Sequence, residues 1–325
     1  MKKTNMKTRK RLAGAVSMLL ISSMMLGTAT YAWFTMNNEV TVTGMSMKTT
    51  VESNLLIDDV AACHGGSWSA GSYATNDSTF RSSTTQTIGS AVLAPLSTTN
   101  GYNFFATLPN NVKGDGDAIN NAYTAITQLS DLTGLGYNSA THTWLDYHFV
   151  LKAVNTDSSA TKNINLSQLK MTFSKATDSE KAWRVAIHSK KFETATVNGA
   201  KTLPDIDASN TGVTTHIYAP ASATNFEANK AVTSTTATGS VTYASQVSDA
   251  TIATVAAGAT EYYEVVVRVW LEGEDKTCNV NTFQSLVDGT WSFETKFKLE
   301  TGTTSGVYVI EQAVTSAGSG SGSGS

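Results

Sequence analysis

The stretch EYYEVVVRVWL, Glu261 to Leu271, decides the fold. Tyr263, Val265, Val267, Val269 and Leu271 fall on one face at a period of two, and Tyr262, Glu264, Val266, Arg268 and Trp270 on the other. β-Branched and aromatic residues at that period specify an extended strand. Both faces carry bulky apolar side chains, so the strand is expected in the centre of a sheet, covered on both sides.

Working outward, the same period recurs. Trp291, Phe293, Phe297 and Leu299 share a face opposite Ser292, Glu294, Lys296, Lys298 and Glu300, the pattern of a half-exposed strand. Leu145, Tyr147, Phe149 and Leu151 alternate with Trp144, Asp146, His148 and Val150; Trp183, Val185 and Ile187 alternate with Arg184, Ala186 and His188. Leu169, Met171 and Phe173 predict another strand, and Leu55-Leu56-Ile57 and Val307–Ile310 two short ones. Val40 and Val42 alternate in one phase and Met45 and Met47 in the next, so the slip at Gly44 predicts a bulge or a turn. Helical spacing is confined to Ala118–Leu129, where Asp117 offers a cap, and to a turn over Ser179–Ala182. Residues 62–87 and 197–248 are rich in Ser, Thr, Asn and Ala, and are expected to be loops and short edge strands. The expected fold is all-β: an antiparallel β-sandwich or jelly roll, with one or two short helices and long polar loops. Residues 44–316 form a single elaborated domain in this reading, followed by a flexible Gly/Ser tail, 317–325, with the look of a linker.

The other end of the chain is of a different kind. Lys2, Lys3, Lys7, Arg9, Lys10 and Arg11 precede an apolar run, Ala13–Leu26, that is too short to span a bilayer comfortably. Thr30-Tyr31-Ala32 supplies small residues where a signal peptidase reads, so residues 1–32 are expected to be a cleaved signal for the Sec pathway, cut between Ala32 and Trp33. A retained anchor is the alternative. Cleavage removes six basic residues from a chain of 23 basic and 26 acidic side chains, leaving 17 against 26, net −9. That balance argues against nucleic acid as a partner, because a phosphate backbone needs a basic footprint. An extracellular or cell-surface location follows from this reading. An even cysteine count in an exported chain invites a disulfide between Cys63 and Cys278, with two unpaired thiols as the alternative.

Residues that carry chemistry are sparse. His64, His142, His148, His188 and His216 are scattered, and no HExxH, GxSxG or P-loop pattern occurs. His148 and His188 fall on the more polar faces of their strands, which places them at the surface. No catalytic residue, cofactor or enzymatic activity is assigned. Glu272, Glu274 and Asp275 around Gly273 are the candidates for a calcium loop, but a solvated hairpin turn explains them better, so no metal is assigned. Gly114–Asp117 lacks the residues of an EF-hand loop. Trp68, Tyr73 and Trp144 are candidates for stacking on a glycan, against the commoner use of such residues in cores.

At TYAWFT, Thr30–Thr35, the chain resembles the SipW-type signals of Firmicutes, in which a short apolar run ends in a Thr-aromatic-Ala step before a Phe-containing start. Proteins with such signals include the TasA/camelysin class of biofilm-matrix fibre proteins. The segments Trp183–Ile187 and Trp270–Asp275 look like those of clostridial surface proteins that carry the same kind of signal. The close match covers residues 28–48; the rest is similar in architecture, and this chain differs in its two cysteines and its longer body. The resemblance implies a secreted structural protein, a jelly-roll subunit that forms a homopolymer by donor-strand β-augmentation. Residues 33–43 would be the donor strand, with Trp33, Phe34, Met36, Val40 and Val42 as its anchors. A monomeric adhesin or glycan-binding module is the alternative function.

Overall fold

The computed structural model describes residues 40–52, 54–64, 72–75, 79–98, 100–106, 124–126, 129–137, 139, 141–173, 182–192, 199–202, 212–218, 240–244, 251–273, 290–302 and 307–312. In chain order the strands are β1 (Val40–Glu52), β2 (Leu55–His64), β3 (Ser72–Thr75), β4 (Ser83–Ile88), β5 (Ala91–Leu93), β6 (Phe104–Ala106), β7 (Thr124–Ile126), β8 (Thr141–His142), β9 (Leu145–Val154), β10 (Lys162–Phe173), β11 (Trp183–Phe192), β12 (Gly199–Thr202), β13 (Val213–Tyr218), β14 (Ser240–Ala244), β15 (Thr251–Val255), β16 (Thr260–Leu271), β17 (Thr290–Glu300) and β18 (Val307–Gln312). One short helix among the described residues, α1 (Leu129–Gly134), lies between β7 and β8.

Two sheets face each other. The first runs β15-β10-β17-β1-β5-β8, with β18 beside β10 and β4 beside β1. The second runs β14-β13-β11-β16-β9-β2. β16 is therefore central, flanked by antiparallel β9 and β11, as its two-faced pattern predicts. The inner faces meet in one core: Val265, Val267 and Val269 of β16, with Tyr147 and Phe149 of β9, pack against Phe293 and Phe297 of β17 and Met45 and Met47 of β1. Trp183 and Trp291 meet edge to face across it, ring centroids 5.1 Å apart. The all-β sandwich is thus the fold. Its first sheet is mixed, since β1 runs parallel to β17 and β18 parallel to β10.

The phase slip at Gly44 is a bulge. β1 pairs with β17 through Thr43↔Thr290 and then Ser46↔Ser292, one residue more on β1 than on its partner. On its other side β1 meets β5 through Val40↔Leu93 and Val42↔Ala91, and β4 from Met45↔Ile88 to Thr50↔Ser83.

Both flanks of the sandwich are closed by polar links. On one, Ile57 of β2 and Arg81 exchange backbone hydrogen bonds of 2.8 and 2.9 Å. There the Asp59 carboxylate accepts from Arg81 and Thr84, and Gln86 donates to the His148 carbonyl at 2.7 Å. On the other flank, Ser189 of β11 donates to the Ile252 carbonyl, and the His216 ring bonds the Thr251 carbonyl at 3.0 Å.

Two expectations are corrected. Thr124–Ile126, inside the expected helix, is a strand paired with Phe104–Ala106, and the helix starts at Leu129. Ile126 there is buried opposite Phe104; Asp117 and the rest of that segment before Thr124 lie outside the described residues. Val213–Tyr218, within the expected loop region, is an interior strand between β11 and β14, buried despite its three polar residues. β4, in the other region expected to hold loops and short edge strands, is a short strand paired with β1 alone, and it turns Thr84 and Gln86 inward, where Asp59 receives both.

Candidate functional site

The outer face of the second sheet is the chemically richest place among the described residues. β-Pairing sets side chains of β9, β16, β11 and β13 in rows. His148, Val266, His188 and Thr215 make one row; Asp146, Arg268, Ala186 and Ile217 make the next. Glu264 lies one step to the other side, between Val150 and Lys190. A solvated sheet face would suit these residues, but Asp146, His148, His188, Glu264 and Arg268 are all buried, Glu264 and His188 at 0% exposure.

A covering segment lies over Arg268 and His188. After β5 the chain turns over this face. Leu96 donates to the Leu271 carbonyl and accepts from Gly273, each at 2.9 Å, and Ser97 pairs with Phe105. Between them Thr98 and Asn100–Asn103 form a self-capped turn. The Asn100 side-chain oxygen accepts from the Tyr102 and Asn103 amides at 2.9 Å, and the Thr98 hydroxyl from the Gly101 amide at 3.0 Å. Gly101 has φ +74°, and a Cβ there would stand 3.1 Å from His188 Cε1, so glycine is required twice over. Phe104, Ala106, Ile126, Leu132 and Tyr137 build a second apolar cluster over Trp270 and Ala186.

At the centre, Arg268 makes a two-pronged ion pair with Asp146, Nε to Oδ1 and Nη2 to Oδ2, both 2.8 Å. Its Nη1 donates to the Gly101 carbonyl at 3.1 Å, tying the sheet to the cover. The Trp144 ring lies against the guanidinium, 4.4 Å from Cζ to ring centroid, and its Nε1 donates to Asp146 Oδ2 at 2.9 Å. Burial works to raise the Asp146 pKa, but the Arg268 charge and hydrogen bonds, with help from His148, hold it well below the usual carboxylate range. His148 sits between two carboxylates, with Nε2 3.8 Å from Asp146 and Nδ1 3.6 Å from Glu264. The His188 Nδ1 lies 2.9 Å from the Thr215 hydroxyl, which also bonds the Tyr102 hydroxyl. The arrangement neutralises charge within itself and fastens the cover to the sheet.

Several sequence expectations meet the structure here. His148 and His188 are buried, not at the surface, and the cover packs directly on His188. Glu272 is not in a solvated turn: it is 3% exposed, and its carboxylate accepts from the Trp270 indole at 3.3 Å. Among the described residues no group of three His, Cys, Asp or Glu is placed to hold a metal; Glu274 and Asp275 lie outside them. Trp144 spends its ring on Arg268 and on Phe104, stacked at 4.5 Å. Tyr73 stands in β3, paired with Lys201 of β12. Cys63 stands in β2 at the register position opposite Asp146. Val40 and Val42 are in β1, paired with β5. Ala32, Trp33, Phe34, Met36, Trp68 and Cys278 lie outside the described residues. The sequence reading missed the Asp146–Arg268 pair. Its signal was present: an acid in one apolar strand and a base in another, each two positions from a tryptophan on the same face.

No family model, curated protein or solved structure matches this chain.

Proposed function

We propose that the mature chain, starting at Trp33, is a secreted structural subunit that assembles into an extracellular fibre by exchanging residues 33–43 between neighbours. One observation carries this reading: beyond the bulge, Val40–Val42 is held by a separate three-pair ladder to β5, while the rest of β1 is gripped by β17 and β4. The bulge supplies a place to redirect the strand. The acceptor lane has its own support, because β5 continues β4, and β4 is bonded to the second sheet through Asp59 and the Ile57–Arg81 bridge. A neighbour's Val40–Val42 restores the same ladder, so exchange costs little beyond association itself. Backbone hydrogen bonds supply the affinity, as in other strand additions.

The test uses cross-strand neighbours. Val40→Cys with Leu93→Cys, in a Cys63→Ser, Cys278→Ser background and with the signal removed, is oxidised and run without reductant. Exchange gives a ladder of covalent oligomers, together with filaments by negative stain, and deletion of residues 33–43 gives monomers. A bridge formed only within single chains at every concentration rejects the fibre and leaves a monomeric surface protein.

A further inference from the structure

The two buried histidines have different neighbours. His148 lies between the Asp146 and Glu264 carboxylates, where an imidazolium is compensated. His188 faces the cover: the Tyr102 ring centroid is 4.5 Å from its own, Gly101 rests on its edge, and Thr215 joins its Nδ1 to the Tyr102 hydroxyl. The charges around His188 come from β16 and β9. Arg268 and His148 oppose a positive charge there; Asp146 favours one but is already engaged by both prongs of Arg268. Glu264 stands beyond Val266, on the His148 side.

We propose that the cover is an acid-released latch: protonation of His188 frees Thr98–Ala106 from the outer face of the second sheet while the sandwich beneath stays folded. The segment is held at its tip by the Tyr102–Thr215–His188 chain and the Arg268–Gly101 bond, so both fastenings meet at the titrating ring. A proton on His188 places a second cation beside Arg268 in a buried site and turns Nδ1 into an obligatory donor. The sandwich core lies on the opposite face of the same strands and contains none of these groups.

The sign follows from the closed state. Burial first, then Arg268, holds the His188 pKa well below its ordinary value, whereas the opened segment returns the ring to water. Closure is therefore fully favoured above about pH 6.5 and is lost as pH falls below it. Amide hydrogen exchange on the full chain reads this directly, after correction for the intrinsic pH dependence of exchange. Peptides covering 98–106 are expected to lose protection by about thirtyfold between about pH 7.5 and about pH 5, while those covering β16 do not. His188→Gln abolishes the loss and His148→Gln leaves it in place. An unchanged cover in the wild type at acid pH, or the same loss in His188→Gln, overturns the proposal. Should His188→Gln not fold, Thr215→Val cuts the link at constant charge. It is expected to lower protection of the cover about tenfold at neutral pH with β16 unaffected; a cover as protected as the wild type's overturns the latch.

Discussion

At the scale of single residues, the buried pair Asp146–Arg268 sets the largest expected effects. Asp146→Asn leaves a guanidinium without its counter-charge, 7% exposed, and is expected to cost about 3–5 kcal/mol by urea unfolding. The same substitution changes the acid limb of the stability profile. With its folded pKa depressed, Asp146 contributes stability that is fully present above the ordinary carboxylate value of 3.8 and lost as pH falls below it. The variant's unfolding midpoint is therefore expected to vary less with pH over that acid range than the wild type's. Gly101→Ala meets both a positive φ and the His188 ring, and is expected to destabilise the cover by roughly 1–3 kcal/mol. An alanine elsewhere on the turn, for example Asn103→Ala at a half-buried position, leaves the ring contact alone and serves as the control. If Gly101→Ala unfolds at the wild-type denaturant concentration and keeps its cover protected, the close approach has no energetic weight.

Elements differ in how plainly the sequence announces them. β16, β17 and β9 were legible because each presents an apolar face at a period of two, and burial follows that face: in β17 every inward residue is buried and every outward one is at least partly exposed. β4 and β13 were not, because their inward positions include threonine, glutamine and histidine, whose partners come from distant strands. Local periodicity carries no record of an Asp59 that waits on β2 for Thr84 and Gln86. The candidate site was hidden for the same reason. The polar alternation of Asp146 and His148 is what a solvated strand face shows; at Arg268 and His188 the cover, folded back from β5, makes that face an interior. The cover itself is an element with a separable core. Phe104→Ala removes a ring packed on Trp144 and Trp270, a loss of about 3–5 kcal/mol for a buried aromatic. Its effect is expected to fall on exchange in residues 98–106, with the β1–β17 ladder still protected; equal loss in both would show that cover and sandwich unfold as one unit.

Over the whole molecule, the sandwich depends on one apolar layer between its sheets and on polar seams at its flanks. Leu169→Ala, in the middle of that layer, is expected to cost about 2–5 kcal/mol in global unfolding and to reduce protection in both sheets together. Asp59→Ala, at the seam, is expected to cost less and to loosen β4 first. The pairing of β1 with β17 has a further consequence. The Thr49 and Thr295 hydroxyls share a 2.8 Å hydrogen bond across 246 positions of chain, at the middle of the first sheet. The opening strand therefore has no completed neighbourhood until Thr290–Glu300 has been made, so this chain folds late and slowly relative to its synthesis. During that interval the edge of β1 that faces β17 lacks its backbone partner, and a chain ended before Thr290 keeps it so. Such a truncated chain should aggregate or be held by chaperones, however complete its second sheet, which makes the tempo of biogenesis a property of strand order.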